Sequence, residues 1–255
     1  MSVVLTEKVL DGRALLITLN RPEARNAVNG QVAREMAAVL DDLDADPTLV
    51  VGIIRGEGKG FSAGMDLKAF LEGDVPAVDD RGFGGFAQRG PRTPLIAAIE
   101  GFAVAGGLEM ALACDLIVAA SDAKLGLPEV KRSLIAAGGG LLRLAQRIPY
   151  HVAAEIGLTG DPLSVERLYQ VGLVNRVAEP GHALDEALAL AAQLVDNAPL
   201  ALEGTKYVLE NAGDWGMEQG WEKQEPVMLR VSSSEDAREG ATAFAERRPP
   251  VWRGR

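Results

Sequence analysis

The sequence predicts an α/β fold: a largely parallel sheet alternating with helices, then a predominantly helical C-terminal part. Three observations carry this. Apolar runs at 50–54, 95–99 and 116–120 have the length and composition of strands buried on both faces. Stretches with helical spacing lie between them. From about residue 138 onward helical patterns dominate.

The elements follow in order. Residues 14–20 (Ala-Leu-Leu-Ile-Thr-Leu-Asn) read as a strand, and Asn20-Arg21-Pro22-Glu23 turns the chain. Asn29 is placed to cap a helix whose apolar positions Val32, Met36, Val39, Leu40 and Leu43 keep helical spacing, and Asp46-Pro47 ends it. The run at 50–54 follows. Residues 72–93 are rich in glycine, proline and charge and carry Phe83 and Phe86. They read either as a lid or binding loop, or as a surface insertion with two phenylalanines tucked into the core. The run at 95–99 precedes Glu100-Gly101, and a helix-like stretch at 106–113 precedes the run at 116–120. Helices are then expected at 140–148, 150–158, 164–171, 183–197, 200–211, 216–230 and 235–247, the last capped by Ser234. No repeat or low-complexity linker divides the chain. The best boundary lies near Asn197-Ala198-Pro199, separating a core at 1–197 from a helical segment at 198–255.

Composition narrows the function. With 255 residues, 47% of them hydrophobic, the chain suffices for one large domain with a substantial core. A net charge of -10 disfavours nucleic acid as a partner. The basic cluster Arg247, Arg248, Arg253 and Arg255 reads as a solvated tail. Cys114, the only cysteine, lies in an apolar run and is expected in the core, in keeping with a reducing compartment. Residues 1–8 lack the basic and apolar regions of a signal peptide, and no apolar stretch is long enough to cross a bilayer. A soluble, cytoplasmic protein with no membrane partner is expected.

Several motifs fail. Gly56-Glu57-Gly58-Lys59-Gly60-Phe61 lacks the Gly-Lys-Ser/Thr ending of a phosphate loop. Gly82-Phe83-Gly84-Gly85-Phe86-Ala87 matches a loose dinucleotide pattern but follows charged residues rather than a strand. There is no Gly-x-Ser-x-Gly elbow. His151 and His182 are too far apart in sequence for a metal-ligand motif and read as surface or capping residues. Acid–base work therefore falls to carboxylates, and electrophilic help to backbone N–H groups.

Gly101-Phe102-Ala103-Val104-Ala105-Gly106-Gly107-Leu108-Glu109 runs from an apolar strand through glycines into a helix. The first amides of a helix have no internal partner and sit at its positive end. Gly106 and Glu109, three apart, share a helix face, so that face offers an amide and a carboxylate together. Phe61-Ser62-Ala63-Gly64-Met65-Asp66 offers a second donor, the Met65 N–H. The two read as an oxyanion hole or, alternatively, as glycine turns chosen for tight packing. In Gly126-Leu127-Pro128-Glu129, Pro128 stiffens the chain before Glu129, which reads as a second active acid or as a dipole-favoured acid at a helix start.

Taken together, 20–27 (Asn-Arg-Pro-Glu-Ala-Arg-Asn-Ala), 61–67 (Phe-Ser-Ala-Gly-Met-Asp-Leu), 105–109 (Ala-Gly-Gly-Leu-Glu), 127–129 (Leu-Pro-Glu) and 243–248 (Ala-Phe-Ala-Glu-Arg-Arg) resemble the crotonase superfamily, in order and over nearly the whole chain. The enoyl-CoA hydratase/isomerase type is the nearest pattern. The resemblance implies a spiral of ββα units, with a helical C-terminal segment forming trimers or dimers of trimers. It implies an acyl-CoA thioester substrate and no cofactor, coenzyme A being part of the substrate. The amides of Met65 and Gly106 would hold the thioester oxygen. Glu109 would activate water for attack at Cβ and Glu129 would protonate Cα, giving syn-type hydration of a 2-enoyl-CoA to the 3-hydroxyacyl-CoA.

The resemblance also implies a coenzyme A path along Arg25, Lys59, Ala63 and Lys68, with Phe244 and Arg247 reaching the ligand of a neighbouring subunit. Arg247 stands where the family has lysine, which keeps the charge but changes its geometry. Arg25 reads from the sequence alone more as a surface residue than as a phosphate contact, and Asp66 as a helix cap. Phe70, Phe83 and Phe86 are expected around the acyl chain. Other reactions on the same site are a Δ3-Δ2-enoyl-CoA isomerase, which needs only the acid near Glu129, and a specialised dehydratase of the carnitinyl-CoA kind. A non-catalytic acyl-CoA-binding homologue would be expected to have lost one or both acids.

Overall fold

The computed structural model describes residues 2–255. The chain opens with β1 (Val4–Val9), β2 (Ala14–Leu19), α1 (Gly30–Ala45) and β3 (Val51–Gly56). A short helix α2 (Leu67–Leu71) leads into a two-stranded hairpin, β4 (Ala77–Val78) and β5 (Gly82–Phe83). There follow β6 (Leu95–Ile99), β7 (Phe102–Val104), α3 (Gly106–Ala113), β8 (Leu116–Ala120) and β9 (Lys124–Gly126). A 3-10 turn at Pro128–Arg132 precedes α4 (Gly140–Arg147), α5 (Tyr150–Thr159), α6 (Val165–Gln170), β10 (Arg176–Ala178) and α7 (Ala183–Val195). Helices α8 (Pro199–Asn211), α9 (Met217–Ser232) and α10 (Glu235–Glu246) complete the chain.

The main sheet has the order β1-β2-β3-β6-β8-β10. All its neighbours are parallel except the antiparallel pair β1 and β2, with Val4 opposite Leu19. Strands β2 and β6 are buried at every residue, as parallel strands covered on both faces must be. Helix α7 packs across β3, β6 and β8. Its start is pinned by Glu100, whose carboxylate accepts the N–H groups of Gly181 and Ala183 at 3.2 and 2.7 Å. A second layer pairs β7 with β9 in parallel, Ala103 beside Leu125. This layer aims the chain into α3 and into the 3-10 turn.

Expected caps form. Asn29 accepts from Val32 N at 3.0 Å, and Ser234 from Ala237 N at 3.0 Å. Cys114 is buried. Strand β7 is the apolar strand expected before the glycines of α3, whereas β1, β9 and β10 carry no run of apolar residues long enough to announce them. Strand β1 is an edge strand and needs no two-sided burial, and β9 and β10 are three residues long. Part of 72–93 pairs as the β4–β5 hairpin. The C-terminal arginines are exposed but not a free basic tail. Arg248 bonds both oxygens of Glu239, at 2.6 and 2.9 Å. The buried Asp236 carboxylate accepts from Arg253 N and Gly254 N, and Trp252 Nε1 donates to Asp196 O at 2.8 Å. Among the described residues no helix is long and apolar enough to cross a membrane.

Candidate active site

The site begins where β7 runs into α3. Ala105, the residue before the helix, has φ 52° and ψ -132°, a conformation that L side chains rarely adopt. Its carbonyl accepts the N–H groups of Leu108 and Glu109, at 2.9 and 3.1 Å. The Gly106 N–H has no acceptor among the described residues and points out ahead of the helix. The glycines here answer to close approach. A Cβ on Gly106 would sit 2.4 Å from the Phe83 ring, and one on Gly107 2.3 Å from Ser62 O.

The second donor comes from the loop before α2. Val28 N donates to Gly64 O at 2.7 Å and Asp66 N to Val28 O at 2.8 Å, a parallel bridge that turns the N–H of Met65 away from Val28. That N–H too has no acceptor among the described residues. Gly64 has φ +87°, and a Cβ on it would lie 2.7 Å from Gly106 N. The peptide leading to Met65 therefore packs directly on the start of α3. The loop is braced from behind. Asp66 caps α2 by accepting from Lys68 N and Ala69 N, and it pairs with Arg21 at 2.9 Å. Asn26 is buried and bonds the carbonyls of Glu57 and Gly60 at 2.9 and 2.8 Å.

Glu109 lies in the first turn of α3 and is 4% exposed. Gly140 N donates to its Oε1 at 3.0 Å. A Cβ on Gly138 would be 2.8 Å from its Oε2, so the glycine loop closes directly on the carboxylate. Burial raises the pKa of Glu109 above the ordinary carboxylate value, and the Gly140 and Gly138 amides and the Arg143 charge oppose that rise. Glu129 follows Pro128 in the 3-10 turn, and its Oε2 is buried with no hydrogen-bond partner among the described residues. Burial raises its pKa, its own backbone amide lowers it, and the charge of Glu109 raises it further. The two carboxylates are thus electrostatic neighbours. If one is charged, it favours a proton on the other.

The remaining expected site residues separate into groups. Ala63 N donates to Arg25 O at 3.0 Å, which joins those two positions through the backbone, while the Arg25 side chain is exposed. Lys59 and Lys68 are exposed on either side of the Met65 loop. Phe70 is 50% exposed on α2, and the half-buried Phe83 lies against Gly106. Phe86 corrects the acyl-pocket expectation. It is 0% exposed within the hydrophobic core and offers no surface to a ligand. Phe244 is 89% exposed on α10, whose main packing is on α9, and Arg247 caps that helix. The chain's own packing does not bring these two to the glutamates. Sequence reasoning passed over Arg143, Ala105 and the 138–140 loop. The triple glycine running into α4 repeats the signal that marked 106–107.

Comparison with known proteins fits this geometry. The family model described as enoyl-CoA hydratase/isomerase matches residues 12–255. The chain belongs to the enoyl-CoA hydratase/isomerase family. Among family members of known structure, an enoyl-CoA hydratase from Mycobacterium tuberculosis H37Rv is 52% identical, with a TM-score of 0.96 and all of both chains covered. A carnitinyl-CoA hydratase from Mycobacterium avium is 40% identical with a TM-score of 0.79, again over all of both chains. A carnitinyl-CoA dehydratase from Escherichia coli K12 is 42% identical over 254 residues, 96% of this chain and 97% of that protein. The fold is therefore the crotonase fold with a helical C-terminal segment, and the relatives named for a reaction are hydro-lyases.

Proposed function

We propose that this chain adds water across the double bond of a 2-enoyl-CoA thioester. The observation that carries this is the pairing of two electrostatically coupled glutamates, Glu109 buried and Glu129 half-buried, with two backbone N–H groups on adjoining turns that have no acceptor among the described residues. As water adds to Cβ, negative charge moves onto the thioester oxygen. The N–H groups of Met65 and Gly106 hold that charge, a type of contact worth roughly 3 kcal/mol per donor. Glu109 is the better candidate for the ionised base, because amides and a cation oppose its protonation. Glu129 has only its own backbone amide to oppose its protonation and feels the Glu109 charge, which suits it to carry the proton delivered to Cα. No redox step is involved, and coenzyme A enters as part of the substrate.

A second reading keeps this chemistry but runs it on a specialised 3-hydroxyacyl-CoA in the dehydrating direction. The carnitinyl-CoA relatives favour it. Arg25, Lys59, Ala63 and Lys68 are assigned to the coenzyme A path. Phe244 and Arg247 are assigned to the ligand of a neighbouring subunit in a homotrimer or dimer of trimers. The exposed apolar residues of the 198–255 segment, among them Leu209, Trp221, Met228 and Phe244, support its role in oligomerisation. The test follows the loss of enone absorbance on incubation with crotonyl-CoA and longer 2-enoyl-CoA thioesters, and its appearance on incubation with carnitinyl-CoA. Hydration of the straight-chain thioesters supports the first reading, and turnover of carnitinyl-CoA alone the second. A double-bond shift without water uptake contradicts both.

A further inference from the structure

Arg143 lies on α4, three residues past Gly140. Its Nη2 donates to Ala87 O at 2.6 Å. Its Nη1 lies against Gly139, where a Cβ would be only 2.3 Å away. Ala87 in turn donates its N–H to Phe83 O at 3.0 Å, closing the segment whose ring sits on Gly106. Gly138 and Gly140, on either side of Gly139, close on Glu109. One guanidinium thus touches the backbone of both the loop that grips Glu109 and the segment that carries Phe83. Among the described residues it forms no ion pair within 4.0 Å.

Resting on the hydratase reading, we propose that Arg143 is a positioning residue. It clamps the 138–140 loop to the Phe83 segment and so fixes the Glu109 carboxylate relative to the Gly106 donor. The surrounding charges agree. Arg147 on α4 opposes the cation, while Glu210 on α8 and Glu109 on α3 favour it. Burial also disfavours its charge, yet a guanidinium stays protonated throughout the working range. Glu129 on the 3-10 turn is a further titratable group that feels the Glu109 charge. A fixed positive charge behind the glycine loop therefore counters the cost of keeping Glu109 ionised in a buried position.

The experiment compares Arg143→Met and Arg143→Lys with the wild type in two ways. The first uses protein without substrate: carboxyl ¹³C NMR of Glu109, assigned by its loss in Glu109→Gln, is followed against pH. The Met variant is expected to titrate higher by roughly half a pH unit or more, and the Lys variant close to wild type. The second is the pH profile of crotonyl-CoA hydration. The Met variant is expected to lose kcat on the order of tenfold, to keep KM within about twofold, and to show its acid limb moved upward with Glu109. Titration of Glu109 at the wild-type midpoint with an unmoved acid limb overturns the proposal. If the Met variant does not fold by circular dichroism, Arg143→Lys decides. A lowered kcat with an unmoved limb supports the clamp, because the charge stays and the reach to Ala87 is lost, and wild-type kcat overturns it. Failure of the wild type to hydrate any enoyl thioester contradicts the reaction instead, and the NMR comparison still decides the role of Arg143.

Discussion

Gly140 donates its backbone N–H to Oε1 of Glu109 at 3.0 Å, a bond between residues 31 apart in sequence. It anchors the acid of one helix to the first amide of another, so the position of Glu109 depends on how α3 meets α4. The carboxylate is nearly sealed from solvent, yet it keeps backbone donors and feels the charge of a second carboxylate. Such a pair can hold one proton and one charge at the same time.

Glu109→Gln and Glu129→Gln are each expected to lower hydration by about 10²–10⁴-fold, the usual contribution of a positioned acid or base. Binding of a saturated acyl-CoA, measured by calorimetry, should change little. Wild-type turnover in either variant removes that residue from the mechanism.

The pH dependence has a definite sign. Both pKa values are raised, so kcat/KM should rise as Glu109 ionises and fall as Glu129 loses its proton, with both limbs above the ordinary carboxylate range. Stability runs the other way for Glu129. A raised folded-state pKa gives stability that is full below the unfolded pKa and lost as pH rises through the folded one. Glu129→Gln should therefore melt higher than wild type at neutral pH, and the gap should close in acid. Thermal melts at three pH values check this; equal melting temperatures throughout contradict it.

Gly64→Ala places a Cβ at φ +87° and 2.7 Å from Gly106 N. The loop must shift, and the Met65 and Gly106 donors move with it. We expect kcat to fall about 10²–10³-fold, the effect of losing one oxyanion donor. Melting should drop modestly. Loss of stability with full kcat would mean that this turn serves packing alone.

Phe83 and Phe86 should part company. Phe83→Ala opens space beside Gly106 and should shift preference toward longer or bulkier acyl chains in a thioester panel. Phe86→Ala empties a core site and should cost about 3–5 kcal/mol in urea unfolding, with chain-length preference unchanged. The reverse pattern would exchange their roles.

What could be read from sequence follows from the range of each interaction. The run of glycines into α3 and the spacing from Gly106 to Glu109 are local, so helix-end physics suffices for them. The caps at Asn29, Asp66 and Ser234 are local too. The central strands announce themselves because burial on both faces demands unbroken apolar runs. Arg143 does not, because its partner Ala87 lies 56 residues away. Nor could spacing separate Phe83 from Phe86. They are three residues apart in one irregular segment, and only the packing of that segment on α3 puts one ring beside Gly106 and the other in the core. Asn26 reads as part of a motif, but its task, holding the carbonyls of Glu57 and Gly60, is visible only in three dimensions.

The most direct test is a crystal structure with a bound acyl-CoA analogue that mimics the enolate. The expected result is a thioester oxygen within hydrogen-bond distance of both Met65 N and Gly106 N, with the Glu109 and Glu129 carboxylates facing Cβ and Cα of that same acyl group. A thioester oxygen bound elsewhere, or only one of the two carboxylates facing the acyl group, would contradict the account.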